Sequence, residues 1–192
     1  MSNPAPLGGP AGVPHARLRE ALSLFVTGVT VISVRDPDTG QPRGMTANAF
    51  MSGSLEPPLV LVSVRQAAKL HPLLEREGYY GVSILADGME RDALRFAGLP
   101  LSDHEPAPRF RWLGNVPVLH DAMATLTARV EAAHAIGDHT LFVGAVGTVE
   151  LADHDGASPL AYLKSTFVRV SGSEGAEPLP IDPWSGAVDA WG

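Results

Sequence analysis

The chain contains no cysteine. That removes disulfides, thiolate nucleophiles and cysteine-based zinc sites. Lysine is scarce, with only Lys69 and Lys164 present. Basic residues number 14 against 21 acidic ones, for a net charge of −7, so a nucleic-acid surface is not expected. No apolar run approaches the roughly 18 residues of a membrane span. The opening MSNPAPLGGPAGVP has neither a basic start nor an apolar block, so no signal peptide is expected. A cytoplasmic protein with no membrane partner fits this composition. There is no G-x-G-x-x-G after a strand, no P-loop, no H-E-x-x-H and no G-x-S-x-G. His134, Asp138 and His139 match no standard metal-site spacing, so no metal is expected.

What remains is ordinary for a globular chain: 192 residues, 45% hydrophobic and 18% charged. A chain this long buries about 70% of its unfolded surface. Residues 1–14 are rich in Pro, Gly and Ala, and 171–192 in Gly, Pro and acidic residues. Both read as arms around one domain at 15–170. Trp184 and Trp191 in the second arm suggest docking on the body or on a partner chain.

Within the domain, HARLREALSLFVTG spaces Leu18, Leu22 and Phe25 as a helix that stops at Gly28. Strands are expected at 29–34, 43–52, 58–65, 79–85, 124–135, 140–151 and 159–170. Helices are expected at 69–78, with Pro72 in the first turn, and at 87–98. Residues 99–116 read as loop. In 124–135, Ala124, Leu126, Ala128, Val130 and Ala132 fall on one face and Thr125, Thr127, Arg129 and Glu131 on the other, a half-buried strand. Consecutive strands with few helices favour a mainly β, antiparallel, Greek-key-like barrel with flanking helices.

The stretch RGMTANAFMSGSLEPPLVLVSV sets Thr46, Asn48, Ser52 and Ser54 in a strand region that leads into a hydrophobic core. Those polar groups face either water or something polar that is not water. After it come KLHPLLEREGYYGVSIL, FAG, GDHTLFVGAVGTVE and PLAY, in that order. With the entering LREALSLFVTGVTVISV, this ordered set resembles the flavin reductase family. Its members include the small reductase components of two-component flavin monooxygenases. The likeness spans roughly residues 15–170 and is strongest in G-M-T-A-N with S-x-S-L-x-P-P.

The resemblance implies a split β-barrel that binds FMN or FAD, a homodimer, and hydride transfer from NADH or NADPH to the flavin. Reduced flavin would pass to a flavin-dependent monooxygenase. It also implies that Met45, Thr46, Ala47 and Asn48 offer a strand edge to the polar end of the isoalloxazine. Fixed donors there stabilise the negative charge that reduction brings. The competing reading is an amphipathic strand facing solvent. Ser52, Ser54 and Lys69 are candidate phosphate contacts, helped by the N–H groups of a helix starting near 69. Serine or threonine is frequent near 67–68 in the family, and here both positions are alanine, which shifts weight to backbone donors. Ser63 and Arg65 complete the cofactor set, Arg65 as a substitute or an adenine-side phosphate contact. A solvated lysine is the competing reading of Lys69.

His139 is the catalytic candidate, since an imidazole can bond the nicotinamide or supply a proton to reduced flavin. The alternative is a turn histidine without a partner. Asp138 is expected on the opposite strand face, stabilising the turn instead of the histidine. Phe167 either stacks near the nicotinamide or belongs to the core. LKSTF departs from the Arg-Gly pattern common there, which leaves Lys164 without an assigned role. An alternative function on the same barrel is a non-enzymatic flavin-binding electron carrier or storage protein, and a related oxidase or cofactor reductase is a third.

Overall fold

The computed structural model describes residues 12–99, 107–153 and 157–170. The expected arms, with Trp184 and Trp191, lie almost wholly outside these residues. The chain starts with α1 His15–Ser23, β1 Thr27–Gly28, β2 Thr30–Arg35, β3 Pro42–Ala47, β4 Phe50–Leu55 and β5 Pro58–Arg65. It continues with α2 His71–Glu77, β6 Tyr79–Ile84 and α3 Glu90–Phe96. The second half holds β7 Phe110–Leu113, β8 Val116–Leu119, β9 Ala124–Ile136, β10 His139–Leu151, β11 Leu160–Leu163 and β12 Thr166–Arg169.

Seven strands form one antiparallel sheet in the order β3-β2-β6-β9-β10-β5-β4. The mainly β, antiparallel expectation holds. The outer strands β3 and β4 are consecutive in the chain yet sit at opposite ends of the order. The single strand expected at 43–52 is therefore two, broken at Asn48 and Ala49.

Alternating side chains give the sheet two cores. Ile32, Val34, Val62, Val64, Tyr80 and Phe142 pack on one face, capped by Leu70 and Leu74 of the α2 region. Val29, Val31, Leu85, Met89, Ala93 and Leu160 pack on the other, under α3 and β11. Pro72 lies in the first turn of α2 as expected, and Gly78 ends that helix at φ +66°.

Several elements differ from the sequence reading. The first helix ends at Ser23 with Leu24 as its cap, five residues before Gly28, and none of its residues is buried. Its apolar spacing is real, but Leu18, Leu22 and Phe25 find no core in this chain, and Phe25 is 73% exposed. Residues 110–119, within and just beyond the expected loop, form the β7–β8 hairpin around Gly114 and Asn115. Gly-Asn is a two-residue turn signal, masked here by Pro117 inside the second strand. The strand expected at 159–170 is the β11–β12 hairpin, turned by Lys164 and Ser165, both at positive φ. Neither residue advertises a left-handed turn as Asn-Gly would.

The β7–β8 hairpin also corrects the reading of β9. Thr125 and Thr127 are buried, not solvent-facing. The Thr125 hydroxyl accepts from Arg111, and Thr127 accepts from the Thr148 amide. Buried Ser33 donates to the Pro117 carbonyl at 2.5 Å, and buried Ser83 accepts from the Leu119 amide at 2.9 Å. Bonding in this way offsets the cost of burying a hydroxyl. Gly81 makes the contact possible, because a Cβ there would overlap the Pro117 carbonyl oxygen. Gly81→Ala is expected to lower unfolding free energy by about 1–3 kcal/mol through overpacking. A urea midpoint indistinguishable from wild type would show that the hairpin gives way freely.

Candidate flavin site

Two clusters of expected site residues meet at the crossing from β3 to β4. The first surrounds a cavity of about 430 Å³ lined by Val29, Thr46, Asn48, Leu94, Leu99 and Phe167, among others. The strand end, the segment after α3 and the β11–β12 hairpin build its walls. Phe167 packs on the second core, 5.6 Å from the Tyr162 ring, and also lines the cavity.

The four expected site residues of the G-M-T-A-N stretch divide their duties. Met45 packs against the first core and Ala47 is buried in it. The Thr46 hydroxyl donates to the Ala93 carbonyl at 2.6 Å, tying the strand to α3. The Ala47 carbonyl accepts from Thr30 at 2.8 Å. Asn48 alone of the four is exposed. Because β3 is an edge strand, one side of its backbone has no strand partner among the described residues.

The second cluster lies across the crossing. The Ser63 amide donates to the Ala49 carbonyl at 3.0 Å, pinning the crossing to β5. Val60, Val62 and Val64 point into the core, so Ser63 and Arg65 share the opposite face. Arg65 stands directly across from His139 in the β5–β10 register. The next residue, Gln66, donates its amide to the Asp138 carbonyl and its side chain to the His139 carbonyl, at 3.0 and 3.2 Å. Gln66 was not legible as a site residue, since a lone glutamine after a strand carries no motif. Lys69 is exposed in the turn that follows. Neither the Ala67 nor the Lys69 amide has a hydrogen-bond partner among the described residues. Since α2 begins only at His71, these loop amides, and not a helix end at 69, are the available backbone donors.

Ser52 and Ser54 are not brought to this end. Ser54 pairs with Leu59, six residues from Arg65, or about 20 Å along a strand at 3.3 Å per residue. Its hydroxyl accepts from the Glu56 amide at 3.1 Å and shapes the turn.

Asp138 departs from expectation. Its carboxylate lies 2.7 Å from His139 Nδ1 instead of on the far face, because the tight turn at Gly137 breaks the extended geometry. The bond with His139 is the main cause holding the Asp138 carboxyl below its ordinary value, with Arg65 nearby adding to it. Nδ1–H donates to the carboxylate, which leaves Nε2 for other chemistry. His134 sits exposed across from Leu141, and no metal-binding group of three His, Asp or Glu occurs among the described residues. No helix among those residues is long and apolar enough to cross a membrane.

The flavin reductase like domain model matches residues 22–171. The chain belongs to the flavin reductase family. An NADH-dependent flavin reductase of Rhodococcus sp. is 44% identical over 152 residues, covering 78% of this chain and 83% of that one. The reductase component of 4-hydroxyphenylacetate 3-monooxygenase from Thermus thermophilus is 41% identical, covering 79% and 94%. In three dimensions, the flavin reductase PheA2 superposes with a TM-score of 0.76 at 34% identity, covering 83% of this chain and all of that one. The matched span of this flavin reductase contains both clusters and the β11–β12 hairpin, but only the end of α1.

His139→Ala is expected to release the Asp138 carboxyl upward toward its ordinary 3.8, since the dominant lowering contact is lost. A carbon-detected NMR titration reads it. An Asp138 midpoint that does not move would mean the pair is not formed in solution.

Proposed function

We propose that this chain uses NADH to reduce FMN or FAD and releases reduced flavin to a partner monooxygenase. The observation that carries this reading is the juxtaposition at the β3–β4 crossing. A strand edge and an aromatic-walled cavity lie on one side, and loop amides without a partner among the described residues lie on the other, with Arg65, Lys69 and His139. Their chemistry fits a flavin: a flat ring needs an apolar wall with a few fixed donors, and its phosphate needs amides and positive charge. The cavity is within the usual range for a small-molecule site. Relatives named as NADH-dependent, and one named as a monooxygenase's reductase component, support both the donor and the acceptor of the proposed sequence.

A bound flavin supplies the N5 atom that takes hydride from the nicotinamide. Met45, Thr46, Ala47 and Asn48 present backbone groups to the ring's polar edge, with Asn48 adding its amide. Thr46 holds the wall to α3, so its contribution is rigidity. Phe167 closes the apolar side. Ser63, Arg65, Lys69 and the amides of residues 67 and 69 bind phosphate. Ser52 and Ser54 keep a place only at the far rim, on a part of the ligand other than that phosphate. Asp138 orients His139, and Nε2 of His139 exchanges the proton that accompanies reduction.

The fold is read as a split barrel, with the Asn48 crossing as the split and residues 15–170 as one domain. A homodimer is part of the proposal. Leu59, Leu61, Leu141 and Val143 lie half-exposed on the outer face of β5 and β10. Met51 and Ile136, 61% and 46% exposed, extend that apolar face. A cytoplasmic location is proposed on the same footing.

Purified protein mixed with NADH and excess FMN or FAD is expected to oxidise the nicotinamide in a flavin-dependent way. No oxidation with either flavin would refute the enzyme reading. Tightly copurifying flavin, reduced only slowly, would favour a carrier instead. His139→Ala is expected to lower kcat on the order of 10²-fold while flavin affinity shifts no more than about threefold. Lost affinity with intact turnover would remove His139 from catalysis.

A further inference from the structure

His71 is buried, 9% exposed, in the first turn of α2. No step proposed above uses it. Its Nε2 lies 2.8 Å from the hydroxyl of buried Thr140. Its ring meets Phe142 edge-on, with centroids 5.4 Å apart. Nδ1 is 3.7 Å from the Glu75 carboxylate. With Nδ1–H turned toward Glu75, Nε2 accepts the Thr140 hydroxyl proton.

This bond completes a pattern. The loop between β5 and α2 is held at its start by Gln66, whose amide and side chain bond the Asp138 and His139 carbonyls. It is held at its end by His71 on Thr140. Both anchors fall on three consecutive residues of one strand start, 138–140. The loop between them carries Lys69 and the amides of residues 67 and 69, which have no partner among the described residues. An apolar pair would fill the same space next to Phe142 with no desolvation cost. A buried hydrogen bond adds direction, which apolar packing lacks.

We propose that His71 is a positioning residue: its bond to Thr140 registers the 67–69 loop against His139, so that flavin phosphate and reacting ring are held at a fixed spacing. The proposal rests on the flavin reductase reading and specifies how its phosphate loop is set.

FMN and riboflavin share the ring and differ in the phosphate, so their KM ratio isolates the loop. The variants are Thr140→Val, which keeps the shape and drops the hydroxyl, and His71→Leu. Each is expected to reduce the wild-type preference for FMN over riboflavin by roughly three- to tenfold, the scale of one lost hydrogen bond. Thr140→Ser keeps the hydroxyl and should restore the preference. Should His71→Leu not fold, the Thr140 pair carries the test alone. An unchanged FMN-to-riboflavin ratio in Thr140→Val, or equal loss in Thr140→Ser, would overturn the positioning role. A wild type that reduces both flavins without preferring FMN would overturn the phosphate role of the loop, and this inference with it. A wild type that reduces neither would overturn the flavin reductase reading itself.

Discussion

Val60, Val62 and Val64 of β5 point into the first core, beside Phe142 of β10. That alternation, in a strand paired on both sides by β10 and β4, is the constraint on which the rest depends. Side chains of a strand change face at every residue, so a slip of one position would turn the valines out and Ser63 and Arg65 in. Burying an unpaired arginine costs several kcal/mol, and exposing three valines forfeits roughly 1.5–3 kcal/mol each. The register is therefore fixed by the core. Its consequence is that Arg65 and His139 must stand opposite each other on the outer face. The site's geometry is a by-product of packing that would be needed in any case.

Electrostatics refine what the register supplies. The chain is acidic overall, yet the end of β5 collects Arg65 and, after the turn, Lys69. Asp138 sits among them and bonds His139 instead of cancelling the positive field outright. A carboxylate on one imidazole nitrogen selects the tautomer and leaves the other nitrogen without that partner, as the proposed proton exchange requires. The turn at Gly137 and the Gln66 bonds keep this arrangement from fraying, because both tie the strand start to the neighbouring loop.

Much of this was legible from residues alone, and the exceptions have physical causes. The strand pair 58–65 and 140–151 was visible because valine runs and a Gly-Asp-His turn are local signals. Thr46 stood out as a polar residue in an unusual place, but its partner, the Ala93 carbonyl, lies 47 positions away and no local pattern reveals it. Thr125 and Thr127 look solvent-facing by alternation, and only a hairpin from another part of the chain makes that face an interior. Lys164 and Ser165 turn a hairpin without the residues that usually mark one, so the Ser165 and Thr166 wall of the cavity went unseen. In α1 the helical spacing is present, but the helix stops at Ser23, before the glycine that looked like its end, and its apolar side chains have no core opposite them.

The same alternation that faces Arg65 and His139 outward also faces Leu59, Leu61, Leu141 and Val143 outward. The polar groups of the proposed site and an exposed apolar surface thus occupy one continuous face, with the charged end at its rim. On an isolated chain this arrangement leaves apolar area in water and the histidine side chain about a third exposed. A second copy seated on the leucines would cover that apolar area, and it would do so beside the loop that Gln66 and His71 clamp. Water excluded from that rim strengthens every charge interaction there. The geometry of the proposed site and the proposed dimer therefore have one origin, the inward commitment of three valines.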